Sequence, residues 1–347
     1  MRFSFVIPVF NRPDEVDELL ESLTQQTTGD FEVVIVEDGS NTPCKDVAER
    51  YKGRLDIHYF RKDNSGPGPS RNYGVERSRG EYVIILDSDC VLPPGYLEAV
   101  ETELKQNPCD AFGGPDAAHD SFTPVQKAIS YSMTSFFTTG GIRGGKKKLD
   151  KFYPRSFNMG IRKTVYQRLG GFSPMRFGED IDFSIRIFKG GFSCRLFPEA
   201  WVWHKRRTDF DKFFRQVFNS GIARINLYKK HPESLKLVHL MPALFTVGVI
   251  ALIIAAIVME FTLTGGYRLG RVTFSWFTLP LLPIVLYVMT LFIHASWKNK
   301  SMVIGFLSVK AAFVQLFGYG FGFIKAWWQR CVRNKGAFTA YEKNFYD

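Results

Sequence analysis

An α/β fold, with a mostly parallel sheet covered by helices on both faces and then an amphipathic helix and apolar membrane helices, is what this sequence predicts, on three observations. Short apolar runs alternate with amphipathic stretches as far as Leu104, which is the pattern of successive strand–helix units. Runs such as FSFVIPV and YVIILD are apolar throughout instead of alternating, as strands buried on both faces are. Apolar residues then concentrate in the last third, where Leu240–Met259 and Val272–Ile293 carry no charge.

The elements follow in order. MRFSFVIPVF is apolar enough to suggest a signal peptide, but the run is short, passes straight into NRPDE and offers no small-residue cleavage site, so it reads as a first buried strand. The strand–helix pairs are then Phe3–Val9 with Val16–Leu23, Phe31–Val36 with Asp46–Tyr51, Ile57–Phe60 with Pro69–Arg77, and Tyr82–Leu86 with Pro94–Leu104. Gly140–Lys151 interrupts the pattern, with Arg143, Lys146, Lys147, Lys148 and Lys151 against the single Asp150. It is a surface loop on base rates, and over an active site its cations could close on a diphosphate. A second α/β stretch runs from Phe157 to His204. Lys205–Lys236 carries nine Lys and Arg against three acids, interleaved with Phe210, Phe213, Phe214, Phe218 and Leu227. That composition reads as a helix on an anionic membrane surface, with an ordinary surface helix as the competing reading.

Each uncharged stretch reaches the ~20 residues a helix needs to cross a bilayer core, with Pro280 and Pro283 expected to kink the second span. Ser301–Trp328 is interrupted by Lys310, Gln315, Gly318, Gly320 and Gly322, so it spans, re-enters or lies in the interface. Lys325, Arg330, Arg333 and Lys335 prefer the same side as the basic segment before the first span, which two full spans satisfy. The expected organisation is an α/β domain over residues 1–204, an interface segment over 205–236, a membrane region over 237–328 and a basic tail over 329–347. The α/β domain is expected on the cytoplasmic face of a multi-pass membrane protein.

With 347 residues, 45% hydrophobic and 23% charged, the chain has material for a packed core and is too balanced for disorder. A net charge of +11 suits an anionic partner, whether nucleic acid, anionic lipid or a phosphorylated substrate, and does not choose among them. The five cysteines are odd in number, widely spaced and without a CxxC pair, which argues against a disulfide framework or a zinc site and for a reducing compartment.

Ligands of such sheets gather at the carboxyl ends of the strands. Asp87 and Asp89 follow YVIIL directly, and two carboxylates beside substrate phosphates suit a hard divalent cation. A D-x-D alone is also a solvated turn. Glu37 and Asp38 end FEVVIV, where a carboxylate could accept from a nucleotide base or serve as a cap. Asn64–Gly74 is glycine-rich and leads into a helix carrying Arg71, which favours phosphate. No GK[ST] closes it, and no GxGxxG follows a first strand. GEDIDF places Glu179, Asp180 and Asp182 at a helix start, where acids are also ordinary caps. His204 ends a short apolar run and is either a hydrogen-bonded structural residue or a third metal ligand beside Asp87 and Asp89.

The ordered series FSFVIPVFNR, VVIVEDGS, GPGPSRNYG, YVIILDSD, GGFSPMRFGEDIDFSIR and PEAWVWH resembles glycosyltransferase family 2, the GT-A fold enzymes that use nucleotide-diphosphate sugars. The resemblance covers Phe3 to about Tyr228. By position it implies that Pro8, Val9 and Asn11 line the nucleoside pocket, Glu37 and Asp38 hold the base and Arg71 sits near the nucleotide. It further implies that Asp87 and Asp89 bind a Mg or Mn ion, with His204 closing the site. Asp180 would be the general base, with Glu179 and Asp182 beside the acceptor. Glu37 stands where Asp is commoner. The QxxRW motif of processive members is missing, since the region reads RQVFNSGIAR around Gln216, so one sugar per encounter is expected. The resemblance and the apolar spans together imply a membrane-bound inverting transferase with a lipid-linked or glycan acceptor, contacts to membrane lipids and no nucleic-acid partner. The alternatives are transfer onto a polyprenyl phosphate, or a non-catalytic nucleotide-sugar-binding subunit.

Overall fold

The computed structural model describes residues 2–117, 122–140, 152–175, 177–205, 207–263, 266–269 and 272–336. The basic stretch 141–151 and the end of the tail, 337–347, lie outside these. The chain forms two compact units, one from the described residues of Met1–Asp120 and Lys146–Lys205, the other from those of Ser121–Gly145 and Arg206–Gly336. Residues 122–140 therefore belong to the second unit, between two stretches of the first.

In the first unit the order is β1 (Phe3–Val9), α1 (Pro13–Thr24), β2 (Phe31–Asp38), α2 (Lys45–Tyr51), β3 (Ile57–Lys62), α3 (Pro67–Arg77), β4 (Tyr82–Leu86), β5 (Cys90–Val91), α4 (Tyr96–Gln106), β6 (Ala111–Gly113) and β7 (Asp116–Ala117). After α5 (Pro124–Thr134) and α6 (Phe136–Thr139) of the second unit, the first resumes with β8 (Asn158–Arg162), α7 (Lys163–Arg168), α8 (Glu179–Lys189), β9 (Cys194–Leu196) and β10 (Val202–His204). The main sheet has the order β3-β2-β1-β4-β8-β6-β9. Its first four strands are parallel, and β8 is antiparallel to both neighbours.

Period-2 alternation divides the apolar strands between two cores. Phe3, Phe5, Ile7 and Val9 of β1 pack with Leu19, Val47 and Leu97 from α1, α2 and α4. Val6, Val34 and Val83 face Val75 of α3 and Phe183 of α8. Gly74 permits that approach, because a Cβ there would lie 2.5 Å from Val6 Cγ1. Pro8 lies beyond the β1–β4 pairing, which ends at Val6↔Ile85, so its missing N–H costs no ladder bond on that side. A small sheet, β5-β10-β7, sets His204 opposite Cys90.

The second unit adds α9 (Phe210–Lys230), α10 (Met241–Thr262), a hairpin of β11 (Tyr267–Leu269) and β12 (Val272–Phe274), α11 (Leu282–Asn299) and α12 (Met302–Trp327). α10 is long and apolar enough to cross a membrane, as is Met302–Val332, which is α12 with its π-helical extension. The expected second span, Val272–Ile293, is not one helix. Val272–Phe274 pairs in the hairpin, and α11 begins only at Leu282 with Pro283 in its first turn. Proline is favourable there because its missing N–H belongs to an unpaired first turn, so it starts the helix and does not kink a longer one. Ser301–Trp328, left open between three arrangements, is the continuous helix.

Its glycines are helix contacts. A Cβ on Gly322 would lie 2.0 Å from the Phe218 carbonyl oxygen of α9, and one on Gly320 2.1 Å from Thr246 Oγ1 of α10. Lys310 rests over the Phe210 ring at 4.6 Å. Phe213, Val217, Ile222 and Leu227 of α9 are buried, and Phe213 and Val217 cluster with Ala311 of α12. Of the aromatic and aliphatic residues expected on a lipid surface, Phe213 and Leu227 are thus covered by protein, and Phe210, Phe214 and Phe218 are half-buried.

Candidate active site

The acids singled out in the sequence all fall in the first unit, and Arg71 organises them. This guanidinium sits on the first turns of α3, is 3% exposed, and donates from Nη1 to Glu179 Oε1 at 2.9 Å and from Nη2 to Asp87 Oδ1 at 2.8 Å. It lies 5.2 Å from the Phe172 ring centroid. Burial alone would lower its pKa, but the two carboxylates more than offset that and raise it. Arg71 thereby ties the turn after β4 to the start of α8. Its Nε is buried with no hydrogen-bond partner among the described residues.

Asp89 and His204 come together as the small sheet dictates, with His204 Nε2 3.2 Å from Asp89 Oδ1. Arg12 Nη1 donates to the other oxygen of Asp89 at 2.9 Å. His204 stacks on Phe157 at 4.7 Å, and its Nδ1 is buried without a hydrogen-bond partner among the described residues. Cys90 shares this cluster, but its thiol donates to the Phe157 carbonyl at 3.4 Å and burial pushes its pKa well up. As a soft sulfur donor it suits a hard Mg or Mn ion less well than the carboxylate and imidazole beside it. Asp89 and His204 offer an oxygen and a nitrogen donor that suit Mn or Mg. Asp87, the second carboxylate expected there, is not in this cluster and is held by Arg71, with a side chain 31% exposed.

At the start of α8, Gly178 has φ +83° and frees the first turn for acids. Asp180 Oδ2 accepts from Arg155 Nε at 2.6 Å. Burial opposes its charge, but Arg155 and the Ile181 amide outweigh it and hold the carboxyl below the usual range. Glu179 goes the other way. Burial first and the Asp180 charge second raise it to about 7, against the pull of Arg71. Asp182, expected beside the acceptor, is fully buried and accepts from Ser173 Oγ at 2.7 Å and Arg186 Nε at 3.0 Å. Arg186 also holds the Leu169 and Gly171 carbonyls, each at 2.6 Å. Asp182 therefore secures the loop before α8.

Most of the residues expected around the nucleoside are buried. Glu37 and Asp38 are fully buried. Glu37 accepts from Ser40 Oγ, from the Cys44 amide at 2.7 Å and from Tyr59 Oη at 3.2 Å. Asp38 accepts from Lys62 and from the Ser65 and Gly66 amides at 2.9 and 2.8 Å. These carboxylates shape the loops after β2 and before α3, and the Ser65 and Gly66 amides are taken up by Asp38. Val9 is 1% exposed and belongs to the core, and Pro8 is buried in β1. Asn11 keeps an edge position. With φ +53° it donates its amide to Ser40 Oγ at 2.8 Å and accepts the Asn41 and Thr42 amides at 2.8 and 3.0 Å.

Arg12 and Arg155 were missed as partners of the site. Arg12 adjoins Asn11 in FNR, but 77 positions separate it from Asp89, and nothing local signals that pairing.

A sequence model of the family described as Glycosyl transferase family 2 matches residues 4–170. An uncharacterized glycosyltransferase of Haemophilus influenzae is 31% identical over 193 residues, covering 54% of this chain and 62% of that protein. One from Rickettsia felis is 36% identical over 143 residues, covering 41% of this chain and 23% of its own. The chain thus spans less than two thirds of these curated relatives. Glycosyltransferase AglE of Haloferax volcanii is 25% identical over 261 residues, with 71% and 80% covered. Among solved structures, the mannosyltransferase PcManGT from Pyrobaculum calidifontis, in complex with GDP-Man and Mn2+, superposes with a TM-score of 0.60 at 18% identity, covering 91% of this chain and 87% of that one. At that identity the likeness concerns the fold.

Proposed function

From the match of residues 4–170 to the Glycosyl transferase family 2 model and the likeness in fold to PcManGT, we propose that this chain moves one sugar from a nucleotide-diphosphate sugar to a lipid-linked acceptor, with inversion, at the cytoplasmic face of a membrane. Assembly of a cell-surface polysaccharide or glycolipid is the matching role. The observation that carries the reading is the single buried arginine that joins Asp87 to Glu179, because it binds the donor end of the site to the acceptor end. PcManGT, complexed with GDP-Man and Mn2+, supports the donor class and the metal. The apolar helices Met241–Thr262 and Met302–Val332 support the membrane, and the basic run Lys205–Lys236 supports the cytoplasmic side.

Asp87, Asp89 and His204 would hold the cation, which when bound offsets negative charge developing on the leaving diphosphate. Arg71 keeps Asp87 and Glu179 in place, so little reorganisation is needed when the donor arrives. Asp180, ionised at neutral pH, accepts the proton of the acceptor hydroxyl as its oxygen bonds to the anomeric carbon and the bond from that carbon to the diphosphate oxygen breaks on the opposite face. No covalent sugar intermediate is required.

Nucleotide sugars offered one at a time with Mn or Mg, scored for nucleotide release with and without chelator, test this. Chelator-sensitive release from one donor is expected, and silence with every donor in the presence of mixed lipid extract would sink the reading. Asp180→Asn is expected to keep nucleotide binding and lose transfer by about 10²–10⁴-fold, while Asp89→Ala weakens metal-dependent binding. One observation favours a second acceptor. A carboxylate paired to Arg155 and held below its usual range is a weak base, which suits an acceptor oxygen already anionic, as in a polyprenyl phosphate. Near wild-type turnover by Asp180→Asn would select that acceptor.

A further inference from the structure

Asp89 cannot receive a cation at both oxygens until Arg12 leaves it, and from this geometry we infer that Arg12 is an exchangeable counter-ion. It holds Asp89 before the donor arrives and passes to the diphosphate once a divalent cation takes the carboxylate. The inference rests on the nucleotide-sugar reading above.

Arg12 lies in the turn between β1 and α1, just before Pro13, with Nη1 2.9 Å from Asp89 Oδ2 and 3.7 Å from Glu15 Oε1. Its side chain is 34% exposed, whereas that of Arg71 is 4% exposed and gripped by two acids. Arg71 is a fixed bridge, and Arg12 has room to rotate. The far oxygen of Asp89 faces His204 Nε2 at 3.2 Å, so the carboxylate lies between a guanidinium and the imidazole.

A guanidinium and a divalent cation on one carboxylate repel each other. A diphosphate beside them attracts both, and a guanidinium matches its oxygens well. Glu15, one turn into α1, gives the displaced arginine a second carboxylate in the meantime. Arg12 therefore opposes binding of the metal alone and favours binding of nucleoside diphosphate with metal. A residue that only braced the fold would move both equilibria the same way.

Mn2+ titrations of the full chain in detergent, alone and then with GDP or UDP at saturating Mn2+, read both equilibria without any turnover. Arg12→Gln is expected to tighten Mn2+ alone by about threefold to tenfold and to weaken nucleoside diphosphate by about tenfold. Glu15→Gln, which leaves the arginine only Asp89, is expected to weaken Mn2+ alone, and Arg12→Lys should fall between wild type and Arg12→Gln in both titrations. Arg12→Gln shifting both affinities in one direction, or neither, would overturn the inference while wild-type binding left the donor reading standing. A wild-type chain that takes no nucleoside diphosphate with Mn2+ would overturn both.

Discussion

Arg71 reaches Asp87 and Glu179 from one buried guanidinium. Its removal strands two acids, one of them almost wholly buried, so Arg71→Ala is expected to cost about 3–5 kcal/mol in denaturant unfolding. A loss below about 1 kcal/mol would show that water replaces the arginine. Glu179 has a second consequence. Its carboxyl is raised from 4.5 to about 7 in the fold, so between those values the folded chain binds a proton that the unfolded chain has lost. Stability from this group is full below about 4.5 and is lost as pH rises through about 7. Glu179→Gln is expected to flatten the dependence of Tm on pH across that window, and an unchanged slope would assign the burial to another group. The acids were legible in the sequence because each follows a strand or opens a helix. Their partners were not, since Arg155 reaches Asp180 across 25 positions that no periodicity links.

Among the elements, the strands were the easiest to read, because continuous apolar runs have few alternatives once helices flank them. Val272–Ile293 was misread for the same reason that made it tempting. Lack of charge reports burial or lipid, not helical continuity, and the hairpin with Pro283 at the next helix start divides it. The glycines of α12 carry the opposite lesson. Spaced glycines looked like interruptions, yet they let helices approach closely. Gly322→Ala would drive a Cβ to 2.0 Å from the Phe218 carbonyl oxygen, so backbone must shift. A loss of about 1–3 kcal/mol is expected, read as a lower Tm in detergent, whereas Gly248→Ala, with nothing within 4 Å, should stabilise or leave Tm unchanged.

For the molecule as a whole, the proposed attachment to a membrane would draw on two separable forces. A net charge of +11 on its own gives adhesion that salt removes, because exposed charges are screened beyond roughly 10 Å at 0.1 M. α10 instead leaves Leu244, Val247, Ile250, Ile254 and Phe261 exposed, an apolar surface that salt does not weaken. The chain is expected to stay with membranes through high salt and alkaline washing and to require detergent. Release by salt alone would reduce the association to charge.

The sequence by itself determined the strand–helix alternation, the two-faced core of the first unit and the placing of Asp87, Asp89, Glu179, Asp180 and His204 near strand and helix ends, because these follow from local pattern and strand polarity. Only the tertiary structure decided that β8 runs antiparallel within the sheet, that Glu37, Asp38 and Asp182 turn inward, and that Arg12, Arg71 and Arg155 each take a carboxylate of the site. Such choices depend on which distant charges burial brings within about 3 Å of one another, where pairing outweighs the cost of leaving water. A sequence gives the charges but not those distances.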